Sequence, residues 1–186
     1  IFVGIQSGGV YRSSNSGANW LRADTGLTNN NVLSLTAIGT TLFAGTSAGV
    51  YRSSNNGRNW IVVNNGFTSP NVYALTVNGT NLWAATDNGV FSTANSGSSW
   101  TLVNTGLTTP RIFSLAVAGT NLLAGSQGGG VWKRPLNEVI VEVEEDVLNM
   151  PMSFSLEQNY PNPFNPTTKI RFAVVTRHAV SLRVFD

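Results

Sequence analysis

Cysteine is absent from the 186 residues, which excludes disulfides and thiolate metal sites but assigns no compartment. Histidine occurs once, at His178, with no ligand pattern around it, so it reads as a surface residue and not as part of a metal centre. Charged residues make up 11% of the chain against a usual ~25%, and acids are the scarcest. Before Glu138 the only carboxylates are Asp24 and Asp87. Cleavage of a glycosidic bond uses a pair of carboxylates flanking it. These two fall at turn positions, where an Asx side chain serves local hydrogen bonding. No Ser-His-Asp set can be assembled in that stretch. No run approaches the ~18 apolar residues of a membrane helix. Gly128-Gly129-Gly130 leads into a strand and not a helix, so no phosphate loop is expected. Catalytic, cofactor-binding and metal-binding residues are therefore not expected.

What is present is a repeat. Gly9–Trp20 reads GVYRSSNSGANW, Gly49–Trp60 reads GVYRSSNNGRNW and Gly89–Trp100 reads GVFSTANSGSSW, with a broken fourth copy, GVWKRPLN, from Gly130. A period of 40–41 residues means one supersecondary unit copied along the chain. In each copy Val10, Val50, Val90 and Val131 precede Tyr11, Tyr51, Phe91 and Trp132, a β-branched and aromatic pair suited to a strand. The turn that follows joins hydroxyls (Ser13, Ser53, Thr93) to amides (Asn15, Asn55, Asn95) that can bond nearby backbone. Gly17, Gly57 and Gly97 supply a positive φ there. Trp20, Trp60 and Trp100 open the next strand and can each bury ~150–250 Å².

This pattern resembles the Asp-box (BNR) repeat, S-x-D-x-G-x-T-W, of β-propellers such as sialidases, xyloglucanases and photosystem II assembly factors. Asn15, Asn55 and Asn95 stand at its acidic position, and Asn19, Asn59 and Ser99 replace its threonine. In that family the box is a surface turn remote from the active site, so the resemblance implies a fold and leaves activity open.

Turn signals divide each copy into four runs: Val32–Ile38, Thr41–Thr46, Val50–Ser53 and Trp60–Asn64, then Val72–Val77, Leu82–Thr86, Val90–Thr93 and Trp100–Asn104. Four antiparallel strands per ~40 residues is the signature of a propeller blade. The small pairs Ala44-Gly45, Ala84-Ala85 and Ala124-Gly125 mark where neighbouring sheets converge, and Leu35, Leu75 and Leu115 face an adjoining blade. The fold expected is all-β: a partial β-propeller of somewhat under four four-stranded blades over residues 1–136, an open arc in preference to a strained four-blade ring. Ile1 begins inside a strand-like run, so the chain reads as a fragment of a longer protein.

Residues 137–153 are acidic and read as a linker. Residues 1–137 hold seven basic residues against two Asp, a balance of +5, and 138–186 balance at −3. A modest +5 spread over the surface is a weak argument for nucleic acid, which is not expected as a partner. Residues 154–186 follow, with Asn159, Tyr160, Pro161, Asn162, Pro163, Phe164, Asn165 and Pro166 forming an extended, proline-ordered segment. Strands are expected at Lys169–Val174 and Ala179–Phe185, where apolar residues alternate. LEQNYPNPFNPTTKIRF resembles the start of the type A C-terminal sorting domain of the bacterial type IX secretion system, here a truncated β-sandwich. The resemblance implies passage through the type IX secretion machinery to the outer-membrane surface or the exterior of a bacterium.

The function expected is thus a secreted or cell-surface propeller, a non-catalytic binding or scaffold module. A column of Arg12, Arg52 and Lys133 beside the aromatics Tyr73, Trp83, Phe113 and Trp132 is suited to gripping a glycan or protein ligand; core aromatics with solvated edge charges is the plainer reading. The alternative is part of a sialidase- or xyloglucanase-like glycoside hydrolase whose catalytic residues lie upstream. A photosystem assembly factor ranks last, because it leaves the sorting tail unexplained.

Overall fold

Runs of two to seven residues between turn signals leave no length for a helix, and the described chain is built almost wholly of antiparallel strands. The computed structural model describes residues 1–140 and, beyond them, the strands Ser155–Leu156 and Phe172–Ala173. The chain divides into two compact units, Ile1–Val143 and Glu144–Asp186.

The first unit carries four sheets in chain order. The first is β1 (Phe2–Ile5), β2 (Gly9–Arg12) and β3 (Leu21–Arg22). The second is β4 (Val32–Ile38), β5 (Thr41–Thr46), β6 (Gly49–Ser53) and β7 (Ile61–Val62). The third repeats it as β8 (Val72–Asn78), β9 (Asn81–Thr86), β10 (Gly89–Thr93) and β11 (Thr101–Leu102). The last has β12 (Ile112–Ala118), β13 (Asn121–Ser126) and β14 (Gly130–Pro135), closed by a 3₁₀ turn at Leu136–Glu138. Strands pair only with sequence neighbours, as tight hairpins dictate. Registers repeat too: Tyr51 opposes Ala44, Phe91 opposes Ala84 and Trp132 opposes Ala124. Each large ring thus sits across from the small residue that leaves room for it. A bulge recurs at the start of β4, β8 and β12, at Leu33, Tyr73 and Phe113. These are β-propeller blades, and the chain is an all-β partial propeller.

The core lies between successive blades. Val10, Val32, Ala44, Tyr51 and Trp60 form the first cluster. Val50, Val72, Ala84, Phe91 and Trp100 form the second, one repeat on. In the third, Val90, Ile112 and Ala124 recur with Trp132 packed against them, but no tryptophan follows. Leu136, Val139 and Ile140 fill its place, and the carbonyl of Val139 accepts the buried Trp83 indole N–H at 2.9 Å. Blade packing therefore runs through residue 140, into the stretch expected to be linker. The physical reason is that the fourth copy has no Trp to plug its groove.

Two expected features of the blades hold and one shifts. Gly45 does lie where sheets converge: a Cβ there would sit 2.7 Å from Val72 Cγ1. Leu35, Leu75 and Leu115 pack into the three inter-blade clusters. In the first three blades the outermost strand is shorter than expected, two residues, and the tryptophan lies outside it. Its backbone N–H bonds the preceding blade: Trp60 to Thr25 O at 2.8 Å and Trp100 to Asn65 O at 2.9 Å.

The run of blades is an open arc. Trp20 is 40% exposed where Trp60 and Trp100 are 3% and 4% exposed, and β12 is more exposed along its length than β4 or β8. In the second unit Ser155 pairs with Ala173 and Leu156 with Phe172, antiparallel. Asn159–Pro166, His178, the expected strand Ala179–Phe185 and residues 141–153 of the expected linker lie outside the described residues.

Candidate functional site

The recurrent corner is a closed hydrogen-bond circuit. The hydroxyls of Ser13, Ser53 and Thr93 accept the N–H of Gly17, Gly57 and Gly97 at 2.8, 3.0 and 3.2 Å. The same hydroxyls donate to the side-chain oxygens of Asn15, Asn55 and Asn95 at 2.9, 3.0 and 2.8 Å. Those oxygens also accept the N–H of Asn19, Asn59 and Ser99. Each task asks only for an acceptor, so an amide oxygen serves where a carboxylate oxygen would. Gly17, Gly57 and Gly97 have φ of 92°, 75° and 81°. The residue before each, Ser16, Asn56 or Ser96, is also left-handed, which the sequence pattern did not reveal. The corner's two amino-acid tasks are turn closure and aiming the tryptophan, whose indole N–H crosses to Ala23 O (Trp60, 2.8 Å) or Val63 O (Trp100, 2.7 Å).

The aromatic column does not form one strip. Trp83 is fully buried and Trp132 packs into the third cluster. Tyr73 and Phe113, both at bulges, meet edge to face with centroids 4.8 Å apart, and Phe113 is 45% exposed. Beside them Asp87 accepts from Asn71 at 2.6 Å and from the Tyr73 hydroxyl at 2.9 Å, and pairs with Arg111 of the next blade at 2.7 Å. Asp87 is thus a cross-blade tie as well as a turn residue. The Asn71 bond first, then the Tyr73 bond and the Arg111 charge, hold its carboxyl below the ordinary value, while burial pushes the Tyr73 hydroxyl up. A depressed folded-state value stabilises the fold above the ordinary carboxylate range, and that contribution is lost as pH falls through about 4 and below. Thermal melts between pH 6 and pH 2 are expected to decline at the acid end, and Asp87→Asn to flatten that decline.

The basic column is likewise divided by context. Arg52 spends its guanidinium on Ser96 O across the groove between the second and third blades, at 3.0 Å. Arg12, its counterpart one repeat earlier, has no side-chain bond among the described residues. It lines a groove of about 320 Å³ between the first two blades together with Ser14, Arg22, Thr25, Asn56 and Arg58. Arg22 bonds Asp24 through Nε at 2.7 Å, which with the Asp24 charge raises the guanidinium above its ordinary value. Arg22 and Arg58 were not anticipated as site residues. The signal available for them was their departure from the repeat, since Val62 and Leu102 stand at the position of Arg22, and Ala18 and Ser98 at that of Arg58. Among the described residues no three acidic or imidazole groups gather as a metal site requires. None of the described helices is long and apolar enough to cross a membrane.

No family model matches the sequence, and no curated protein matches it. Solved structures do. An ancestral GH74 enzyme superposes with a TM-score of 0.62 at 23% identity, over 75% of this chain and 21% of that one. The extracellular domain of a one-component system from B. thetaiotaomicron gives 0.59 at 19% identity, over 72% of this chain and 18% of that one. PorZ, a bacterial surface component of the type IX secretion system of Porphyromonas gingivalis, gives 0.52 at 15% identity, over 87% and 26%. At these identities the likeness is one of fold, and the chain spans about a quarter or less of each protein's length.

Proposed function

We propose that this is a secreted or surface-attached bacterial propeller that binds and does not catalyse, exported through a type IX sorting tail. The observation that carries the non-catalytic reading is the fate of its acids. Among the described residues there are three carboxylates, and each is paired with an arginine: Asp24 with Arg22, Asp87 with Arg111 and Glu138 with Arg134. They sit on different blades, and none is left as a poised acid or base of the kind hydrolysis uses. The corner Ser13, Asn15, Gly17 and its copies is the Asp-box turn in an amide version, consistent with a structural role. The tail assignment rests on Asn159–Pro166 and the sequence around it. The extracellular B. thetaiotaomicron domain and PorZ, both similar in fold, agree with an exterior location.

A specific likeness favours the second reading: the GH74 enzyme shares the fold, so this chain can belong to a longer glycoside hydrolase. Two measurements separate the readings. A reporter carrying a signal peptide, fused ahead of residues 1–186 completed by the remaining strands of the sorting domain, is expected at the cell surface or in the medium of a type IX-competent host. Deleting 154–186 is expected to hold it in the periplasm, and an unchanged distribution overturns the tail assignment. The purified chain is expected to release no reducing sugar from xyloglucan or sialylated substrates; turnover above blank would favour the hydrolase.

A further inference from the structure

We propose that the groove between the first two blades binds an acidic saccharide, its carboxylate or sulfate held by Arg12, Arg22 and Arg58. The inference rests on the reading of the chain as a binding module and names the ligand class. It begins with charge. All three carboxylates among the described residues are already paired, and only Asp24 reaches this groove. Three guanidinium groups therefore line one groove against a single carboxylate. Arg12 and Arg58 have neither an ion pair nor a side-chain hydrogen bond among the described residues. An arginine fork matches a carboxylate or sulfate through two parallel N–H bonds, so the geometry suits an oxyanion.

The fold does not ask for these cations. Positions that the blade needs are repeated with little change: hydroxyl, amide, glycine, tryptophan. Arg22 and Arg58 are instead departures from the repeat, and the third blade carries Ser92 where Arg12 stands. Both departures fall on the same groove as Arg12. The equivalent groove between the second and third blades has Val62 and Ser98 in their places, with Arg52 tied to Ser96 O. Of these two grooves the first gathers the larger positive charge, three arginines against one carboxylate.

The remaining lining selects among anions. Ser14, Thr25 and Asn56 add hydroxyl and amide groups that can donate and accept, as sugar hydroxyls require. Aromatic surface comes from one ring, the half-exposed Trp20 of the adjoining cleft that shares Arg12 and Ser14, short of the successive rings on which single-stranded nucleic acid stacks. Its volume of about 320 Å³ lies at the small end for ligand sites, suited to one or two sugar units and not to an extended polyanion track.

The test uses the purified 186-residue chain, with calorimetry against four probes of matched length or charge. They are a uronic-acid oligosaccharide, a sulfated oligosaccharide, a neutral oligosaccharide and a poly-glutamate peptide, with inorganic sulfate as competitor. One of the acidic saccharides is expected to bind, more weakly as salt rises from roughly 50 to 200 mM, and the neutral one not to. Which of the two binds tells uronate from sulfate. The double variant Arg12→Ser, Arg58→Ser carries the residues of the third blade and is expected to keep the melting temperature while losing affinity about tenfold or more. Arg52→Ser, in the neighbouring groove, is expected to leave the affinity unchanged. Full affinity in the double variant, equal loss in Arg52→Ser, equal binding of poly-glutamate, or displacement by inorganic sulfate at equal concentration each overturns the proposal. So does failure of every acidic saccharide to bind, which leaves export by the tail and the lack of hydrolysis untouched.

Discussion

Trp100→Ala is expected to destabilise the blade unit by about 3–5 kcal/mol, the range for emptying a buried aromatic site. Trp100 is 4% exposed in the second inter-blade cluster and meets Phe67 edge to face at 5.2 Å. Its indole N–H also satisfies Val63 O, which the variant leaves without that partner. At this chain length the loss corresponds to a fall in melting temperature of roughly 10 °C. Trp20→Ala is the internal control: the same residue in the same corner, but 40% exposed, so a cost within about 1 kcal/mol is expected. Thermal or denaturant unfolding of both variants decides the matter. Equal losses would mean that the corner itself, and not the seam between blades, is what the tryptophan supports.

Gly66→Ala is expected to cost about 2–5 kcal/mol, from two sources that add. Gly66 has φ of 79°, where an L side chain is penalised by roughly 1–2 kcal/mol. A Cβ there would also drive into the carbonyl oxygen of Trp100, a backbone atom that cannot swing aside, and overpacking of this kind costs about 1–3 kcal/mol more. Gly79→Ala isolates the first source: φ is 61° and nothing lies within 4 Å, so a cost near 1–2 kcal/mol is expected. Urea midpoints at unchanged slope measure the difference. If the two variants match, the close approach at Gly66 is not limiting.

The blades were legible because their determinants are local. Val32–Ile38 and Thr41–Thr46 emerge with the boundaries read from turn signals, and the Ser53–Asn55–Gly57 circuit closes as its residue types require. What a repeat conceals is which copy a residue serves. Trp60 recurs every 40 residues whether it packs in its own sheet or on the one before, and only coordinates show that it bonds Ala23 and Thr25. Burial was concealed for the same reason. Trp83 looks like any strand aromatic until Leu136–Ile140 folds over it in the place a tryptophan would take. The arginine groove was the least legible part, because Arg22 and Arg58 are 36 residues apart and neither recurs. Their meeting depends on blade stacking, which no local pattern encodes.

The hydrogen bonds from Trp60 N–H to Thr25 O and from Trp100 N–H to Asn65 O have a consequence for how such chains evolve. Main-chain groups are the same in every residue but proline, so this contact names no particular side chain. A gene encoding these modules that gains or loses one brings together neighbours whose main-chain contact is already matched, leaving only the tryptophan seam and its glycine to be kept. Variation is then left free to accumulate on the rims.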